Sequence, residues 1–564
     1  MKRSRTLLFF LLAGHSLYNS SFCQTISTTF FGQNYWRPNR TIHFNGELQN
    51  HWTEIEASGI KYMRIGGKDY DANGTYVWTS ADLASGPSSI VTELRSHGIE
   101  PIIQVPIDAS LTAAQNATAA ATLVNDVNNT YSGNVTYWII GNEPDGSYAS
   151  PFNTAAGIQS YIQAVSTAMK GVSGQSGIKI IGPSITAYNP ASNGNMMSDL
   201  IGGTYDVTGS GANGYYIDIV SFHIYPFRGQ SYWQTGGSGG AAISRSDVIS
   251  YLTATGKFND DLTALEALIS AAGRSTTLGI AITEANISYE QNTSAKGIMD
   301  LGPGSFLGGQ FWAEMMGIAM KHGVKMLCFW SAIEGSSSTS PSYITDIGYI
   351  GRESGNPRST YWHYKLMAEN FKGTYYDNIL GNSGNYKAFA YRDGDLDEMG
   401  VLIMNQDIGS NPTRQTDTHT KTFIINFKGL TPTSGYDMSF SFNLSDESDE
   451  YHCTIPVETT MLLVFDGTNG TLKRKQSYSL IDALRATDTG TYTDINNSTD
   501  YNGYTSPSPY NSDILIGTNT ATTITAGANK TITAGNSIKL NGPFNSSGYT
   551  VTLTTSKSTC YSNP

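Results

Sequence analysis

The stretch Trp138-Ile139-Ile140-Gly141-Asn142-Glu143-Pro144-Asp145 joins a short apolar run to an abrupt polar end. A near-continuous apolar run of this kind is typical of a parallel strand that is buried on both faces. The stretch Gly279-Ile280-Ala281-Ile282-Thr283-Glu284-Ala285-Asn286 repeats the pattern further along the chain, again with a glutamate at the end of the apolar run. The two stretches together predict a parallel sheet that carries carboxylates at the ends of its strands.

Similar apolar runs, separated by helix-like stretches such as Ala81–His97 and Ile158–Val172, recur between residues 24 and 375. The predicted strands are Phe30–Tyr35, Tyr62–Ile65, Pro101–Val105, Val135–Ile140, Ile178–Ile181, Ile217–Ile224, Leu278–Thr283 and Lys325–Trp330. Eight alternating strand and helix units over this length predict a (β/α)8 TIM barrel, an α/β fold. The alternative, an open doubly wound sheet, normally has a glycine-rich phosphate loop after its first strand, and Phe31-Gly32-Gln33-Asn34 lacks that pattern.

The texture of the sequence changes after the predicted barrel. Residues 376–475 alternate apolar and polar positions, as in Val401–Met404 and Met461–Phe465, which predicts an all-β sandwich. Residues 476–515 are rich in Thr, Asn, Ser and Asp and are interpreted as a linker. Residues 516–564 repeat the unit Thr-Ile-Thr-Ala-Gly at 523–527 and 531–535, which predicts a small β-rich module of the sorting or attachment type.

The N-terminus has the pattern of a secretory signal peptide. Lys2, Arg3 and Arg5 precede the apolar run Thr6–Ala13, and a polar stretch follows. An apolar run this short cannot span a bilayer, which requires about 20 residues. We therefore expect residues 1–23 to be removed and the mature protein to be secreted or held at the cell surface, with the C-terminal module as a possible contact for secretion machinery.

Composition excludes several other function classes. The formal net charge is −12, which disfavours nucleic-acid binding because phosphate neutralisation needs clustered Lys and Arg. No other apolar run approaches the length of a membrane span. The 4 Cys are widely spaced and the 9 His do not show metal-ligand spacing, so neither a structural metal nor a cofactor is predicted.

Glu143 and Glu284 are the candidate catalytic pair. Strand ends at the C-terminal mouth are where active sites of such barrels are assembled, so two side chains from different strands can converge on one bond. Paired carboxyl groups with different protonation states are the catalytic groups of most glycoside hydrolases. The alternative interpretation is that each glutamate is a surface acid or a helix cap. Two matching strand ends would then have to carry a glutamate independently, which disfavours this alternative.

These motifs resemble those of clan A glycoside hydrolases, which have Asn-Glu at the end of barrel strand four and Glu at the end of strand seven. The resemblance covers residues 27 to 375 and implies that Glu143 is the acid/base and Glu284 the nucleophile, with no cofactor. It also implies substrate-binding or supporting roles for Asn142, Arg64, His223, Tyr225 and Trp330. Glu334, in the loop after strand eight, is a further candidate for substrate contact.

The sequence therefore predicts a secreted, retaining glycoside hydrolase that cleaves β-glycosidic bonds of a cell-wall or algal polysaccharide from within the chain. Two alternatives stay open at this point. One is a catalytically inactive carbohydrate-binding or adhesion protein on the same barrel, for which two retained glutamates would serve no purpose. The other is a transglycosylase, which would use the same two residues and differ only in its acceptor.

Overall fold

The computed structural model describes most of the barrel region and parts of the C-terminal region. The described residues are 23–35, 48–72, 78–188, 195–227, 243–289, 301–333, 347–351, 356–376, 379–380, 384–408, 420–426, 438–441, 450–467, 470–480, 482–483, 493–495 and six short strands between 513 and 555. The predicted signal peptide, apart from Cys23, and Glu334 lie outside them.

Eight parallel strands close into a barrel, which confirms the predicted fold class. Barrel strands one to eight are, in order, Phe31–Tyr35, Tyr62–Ile65, Glu100–Val105, Tyr137–Ile140, Lys179–Ile185, Ile219–Ile224, Gly279–Ala285 and Met326–Phe329. Each strand pairs with its sequence neighbours, and strand eight pairs with strand one to complete the ring. All eight predicted apolar runs are strands, and their bounds differ from the prediction by only a few residues.

Helices surround the barrel strands. Their bounds are Trp52–Ala57, Lys68–Ala72, Ser80–Ala84, Ile90–Ser96, Ala113–Val124, Ala155–Lys170, Met196–Leu200, Arg245–Tyr251, Phe258–Ala271, Phe306–Lys321 and Ser359–Asn370. The expected single helix Ala81–His97 is wrong, because Gly86 adopts a positive φ of 80° and Pro87 has no amide hydrogen to continue a helix. Among the described residues, no helix is long and apolar enough to cross a membrane.

Antiparallel strands follow the barrel and form a six-stranded sheet. In sheet order they are Cys23–Thr25, Thr374–Tyr376, Tyr386–Asp393, Glu398–Asn405, Thr459–Asp466 and Leu472–Ser479. A strand from the start of the chain therefore joins this sheet, whose other edge strand continues past residue 475, where the linker was expected to begin. Beyond that strand, Leu480 and Ala483 are buried against Phe306 of the barrel.

The remaining described strands form smaller sheets. A four-stranded sheet has the order Ile379–Leu380, Met438–Ser441, Thr420–Asn426 and Glu450–Pro456, with one parallel pair among antiparallel ones. In the tail, Thr493–Ile495, Asp513–Ile516 and Ser537–Leu540 pair in parallel, and so do Thr522–Thr523 with Phe544–Asn545 and Lys530–Ala534 with Val551–Thr555. The C-terminal region is thus β-rich.

Buried polar contacts fasten the six-stranded sheet to the barrel. Glu314, in the helix Phe306–Lys321, lies 3.1 Å from Lys387 Nζ of the sheet, and both side chains are almost fully buried. Nearby, His363 Nε2 lies 2.8 Å from the hydroxyl of Thr460. Burial lowers the pKa of His363 to about 4, so this imidazole is neutral at ordinary pH and serves as a hydrogen-bonding group. The sheet is therefore part of the barrel's support.

Candidate active site

The two candidate glutamates leave their strands at the same end of the barrel. Glu284 is in barrel strand seven, and Glu143 follows strand four after Gly141 and Asn142. Gly141 and Glu143 both have positive φ, at 79° and 41°. A Cβ on Gly141 would come within 2.3 Å of the side chain of Ile107, so the turn that presents Glu143 requires a glycine there.

Glu284 is 6% exposed and is held by donors on both carboxylate oxygens. Arg64 Nη1 donates to Oε1 at 2.6 Å, and the hydroxyl of Tyr225 donates to Oε2 at 2.9 Å. A buried carboxylate is tolerated only when it is paired and hydrogen-bonded, and Glu284 has both a charged partner and a neutral donor. Glu284 is therefore fixed in place and suited to act as an anion.

Glu143 has a more open environment, since 23% of its side chain is exposed. His223 Nδ1 lies 3.0 Å from Glu143 Oε1 and 3.5 Å from Glu284 Oε2. The histidine side chain is fully buried, and Nδ1 must carry a hydrogen in order to donate to these oxygens. His223 thus links the two carboxylates.

Arg64 is completely buried beneath the two carboxylates, and its guanidinium has three partners besides Glu284. Nη1 donates to Asn34 Oδ1 at 2.9 Å, and Nη2 donates to Asn142 Oδ1 at 2.7 Å and to Gln104 Oε1 at 3.1 Å. Because Arg64 holds Asn142 by its oxygen, the amide nitrogen of Asn142 faces away, 3.3 Å from the hydroxyl of Tyr148. The geometry brings Arg64, Asn142 and Glu284 into one network.

Sequence reasoning missed Asn34, Gln104 and Asp71, although each left a signal. Asn34 and Gln104 are polar residues at fully buried positions of barrel strands, and both are about 1% exposed. Asp71 follows strand two, as Glu143 follows strand four, and accepts hydrogen bonds from Gln104 and from two backbone amides. Burial raises the pKa of Asp71 to about 7, although the hydrogen bonds and Arg64 oppose the shift.

Trp330 follows barrel strand eight and is 9% exposed, with the rest of its surface in the core. Its backbone is anchored on both sides: the amide donates to Ala285 O at 2.9 Å, and Asn286 Nδ2 donates to its carbonyl at 2.6 Å. Trp330 therefore follows strand eight beside the residues that come directly after Glu284. Only a small part of this side chain is accessible to a ligand.

Glu143, His223 and Glu284 also offer one potential ligand atom each within 4.8 Å of one another, the smallest set that could hold a metal ion. The positive charge of Arg64 makes a cation an unfavourable ligand at this cluster. The Arg64 guanidinium already neutralises Glu284, and the hydroxyl of Tyr225 occupies its second oxygen. The cluster is better suited to a neutral ligand that exchanges protons.

Comparison with solved structures supports the fold. The chain is similar to a family 51 alpha-L-arabinofuranosidase from Bifidobacterium longum, with 14% identity, 77% of this chain and 95% of that chain covered, and a TM-score of 0.52. It is similar to an alpha-L-arabinofuranosidase from Thermotoga maritima, with 14% identity, coverage of 82% and 96%, and a TM-score of 0.51. A family 44 endoglucanase from Clostridium acetobutylium follows, with 13% identity, coverage of 79% and 97%, and a TM-score of 0.50.

At these identities the likeness establishes the architecture alone, a barrel followed by a β-rich region. No protein-family model and no curated protein matches the sequence. The chemistry of this chain is indicated by its own residues.

Proposed function

We propose that this protein is a retaining glycoside hydrolase in which Glu284 is the nucleophile and Glu143 the acid/base. One observation carries the proposal: one oxygen of each carboxylate, together with His223 Nδ1, lies within 4.8 Å of the others. Retaining enzymes have carboxyl groups about 5–5.5 Å apart, whereas inverting enzymes need about 6.5–9.5 Å to admit a water molecule. The 4.8 Å limit applies to the nearest oxygen atoms rather than to the carboxyl groups as wholes, and it favours the shorter, retaining range, which supports direct attack by one carboxylate.

The different surroundings of the two carboxylates support the assignment of roles. Glu284 is paired with Arg64 and 6% exposed, as a nucleophile that must stay ionised should be. Glu143 is more exposed and is paired with His223, so it can exchange protons with a leaving group and with water.

In the first step, Glu284 attacks the anomeric carbon while the bond from that carbon to the leaving oxygen breaks. Glu143 gives its proton to that oxygen, and a glycosyl ester on Glu284 remains. In the second step, Glu143 takes a proton from water, the water oxygen bonds to the anomeric carbon, and the ester bond breaks. Both carboxyl groups then have their starting protonation states.

Neighbouring donors support both steps. Arg64 and Tyr225 disperse the charge of Glu284 before attack and again when it leaves. His223 donates to Glu143 and lies 3.5 Å from Glu284, so it can stabilise whichever carboxylate is ionised. The proposed contact for a sugar hydroxyl is Asn142, which Arg64 holds, and the proposed contact for a sugar face is the accessible part of Trp330.

For the substrate we propose a β-linked cell-wall or algal polysaccharide cleaved from within the chain by a secreted enzyme. The signal-like N-terminus and the C-terminal repeats support export, and the strongly negative net charge favours a neutral polymer over a sulfated one. Two of the similar structures are named as arabinofuranosidases and one as an endoglucanase, so arabinose-containing polymers and β-glucans belong among the first candidates.

The test is a panel of neutral and acidic polysaccharides and aryl glycosides, assayed for reducing ends and product length. Proton NMR of the first products on the best substrate then gives the anomeric configuration. We expect retention. An inverted first product would contradict the double-displacement mechanism, and binding of a polysaccharide without any cleavage would favour an inactive carbohydrate-binding protein.

A further inference from the structure

Asp71 connects three successive strand ends at the mouth of the barrel. It lies in the helix Lys68–Ala72, after strand two, and is 9% exposed. Its Oδ1 accepts from Gln104 Nε2 and from the amide of Ile107, both at 2.9 Å, and its Oδ2 accepts from the amide of Asn142 at 2.6 Å. These donors belong to strand three, to the loop after it and to the turn after strand four.

The first consequence concerns the amide of Gln104. Its Oε1 accepts from Arg64 Nη2 at 3.1 Å and from the amide of Gly67 at 2.7 Å, while its Nε2 donates to Asp71. If the amide were rotated by half a turn, its NH2 group would face the guanidinium of Arg64, a contact between two donors. Gln104 Nε2 also donates to the carbonyl of Gly67, at a longer distance of 3.2 Å, so Asp71 is the closer of two acceptors that fix the orientation in which Gln104 can hold Arg64.

The second consequence concerns the turn that presents Glu143. This turn contains two residues with positive φ, Gly141 and Glu143, a conformation that persists only where its surroundings hold it. Asp71 takes the amide hydrogen of Asn142, and the carbonyl of Ser184 takes that of Glu143 at 3.0 Å. The middle of the turn is thus held by a charge-assisted bond to Asp71.

We propose that Asp71 is a positioning residue that sets the geometry of both carboxylates without touching substrate. It acts on Glu284 through Gln104 and Arg64, and on Glu143 through the backbone of Asn142. This inference rests on the proposed glycoside hydrolase function, and it adds a residue that neither the barrel fold nor the paired glutamates requires.

The central variant is Asp71→Asn, which keeps the shape of the side chain and replaces one acceptor oxygen with a donor NH2 group. In the wild-type protein each carboxylate oxygen of Asp71 faces a donor. Either placement of the NH2 group in the variant therefore creates a donor–donor contact. We expect kcat to fall by about 100-fold, the size of effect that a displacement of about 1 Å produces, with KM changed by less than about threefold.

The matched control is Asp206→Asn. Asp206 Oδ1 also accepts from two backbone amides, those of Gly202 and Thr208, but it lies at the opposite end of the barrel, where Arg274 contacts Thr208 O. Its substitution should lower the melting temperature and leave kcat within twofold. An Asp71→Asn protein that is folded and keeps kcat within twofold would overturn the proposal.

A double-mutant cycle tests whether Asp71 affects kcat through Gln104. If Asp71 acts partly through Gln104, Gln104→Leu alone should lower kcat at least tenfold, and the double variant should be less impaired than the product of the single effects. Multiplicative effects would overturn the route. If Asp71→Asn does not fold, Gln104→Leu decides alone, and an unchanged kcat would count against the proposal.

A crystal structure of Asp71→Asn separates this proposal from the proposed function. We expect a rotated Gln104 amide and a longer distance between Arg64 and Glu284, which can be measured whatever reaction the protein performs. An unchanged distance of 2.6 Å would overturn the positioning role, whereas a wild-type protein with no glycosidase activity would overturn only the function.

Discussion

In the described part of the barrel, both ends bury charged side chains, but the two ends arrange these side chains differently. At the N-terminal end, Lys170 Nζ lies 2.8 Å from Asp218 Oδ2, and both groups are also bonded to backbone: Lys170 to Tyr215 O and Asp218 to the amide of Ile180. At the mouth, Arg64 and Glu284 are as close, at 2.6 Å, but the network leads to a second carboxylate, Glu143, that solvent can reach.

The comparison teaches that a buried ion pair alone does not indicate function. At the N-terminal end, Lys170 and Asp218 pair with each other and form hydrogen bonds with main-chain groups. They connect one loop to the start of a strand. At the mouth, side chains from strands one and three and from the turn after strand four bind Arg64, which in turn binds Glu284. Tyr225 and His223 contact the two carboxylates directly. Convergence on a pair of acids, of which Glu143 is accessible to solvent, is the feature that distinguishes the two ends, and substitutions at each end can test it.

The largest effect is expected from Glu284→Gln at the mouth. The amide cannot attack the anomeric carbon, so turnover should fall by more than about 10⁴-fold for every leaving group. Arg64 then faces a neutral side chain, and circular dichroism is needed to show that the variant is folded. Initial rates on an aryl glycoside and on the best polysaccharide give the measurement. A folded Glu284→Gln protein that retains activity would remove the basis of the comparison.

Glu143→Ala should have the next largest effect, and one that depends on the substrate. With a poor leaving group, loss of the proton donor should lower kcat by about 10²–10⁴-fold. With a good leaving group, the first step should be nearly spared and the second should become slow. Added azide should then restore turnover by attacking the glycosyl ester, which gives a glycosyl azide detectable by mass spectrometry. If azide rescues Glu284→Gln instead, the two roles are reversed.

Trp330→Ala should lower kcat/KM by more than tenfold through loss of contact with the sugar nearest the cleaved bond. Because 9% of this side chain is exposed and the rest packs in the core, the substitution also removes apolar contacts. Trp330→Phe provides the control, since it keeps an aromatic ring and most of the packing. Equal kcat/KM values for Trp330→Ala and the wild type, measured well below the melting temperature, would make Trp330 a core residue only.

Sequence alone predicted the eight barrel strands, because buried parallel strands are continuous apolar runs. It also predicted two residues at strand ends, Glu143 and Glu284, at which apolar runs stop. It did not predict the layer beneath them. Gln104 and Asn34 are polar residues in barrel strands, and their contacts with Arg64 can be recognised only once strands far apart in sequence are neighbours.

The C-terminal region was harder to predict for a different physical reason. A strand such as Leu472–Ser479 is an edge strand rich in Lys and Arg, with half of its residues facing solvent, so its sequence resembles that of a polar loop. Its last residues were interpreted as linker. Tyr478 and Leu480, which pack on Phe306 of the barrel, were the local signal that the chain was still part of the folded structure.

The smallest effect on activity is expected at the N-terminal end of the barrel, from Asp218→Asn. The substitution removes the charge that faces Lys170, which is about 5% exposed, and keeps one oxygen that can accept from the amide of Ile180. An uncompensated ammonium in such a site should lower the free energy of unfolding by about 1–3 kcal/mol, seen as a shift in denaturant midpoint. Lys170→Met in the same background should recover part of that loss, because the stranded charge is then gone.

The activity of this variant tests whether the two ends of the barrel are coupled. Asp218 precedes strand six at one end of the barrel, and His223, on the same strand, contacts Glu143 at the other end. If strand six transmits displacement along its length, kcat for Asp218→Asn should fall together with stability. We expect instead that kcat stays within twofold, because a close-packed strand with six positions paired to strand seven and four paired to strand five holds its place when one end loosens. A tenfold loss of kcat in a folded Asp218→Asn protein would mean that the two ends of the barrel are coupled.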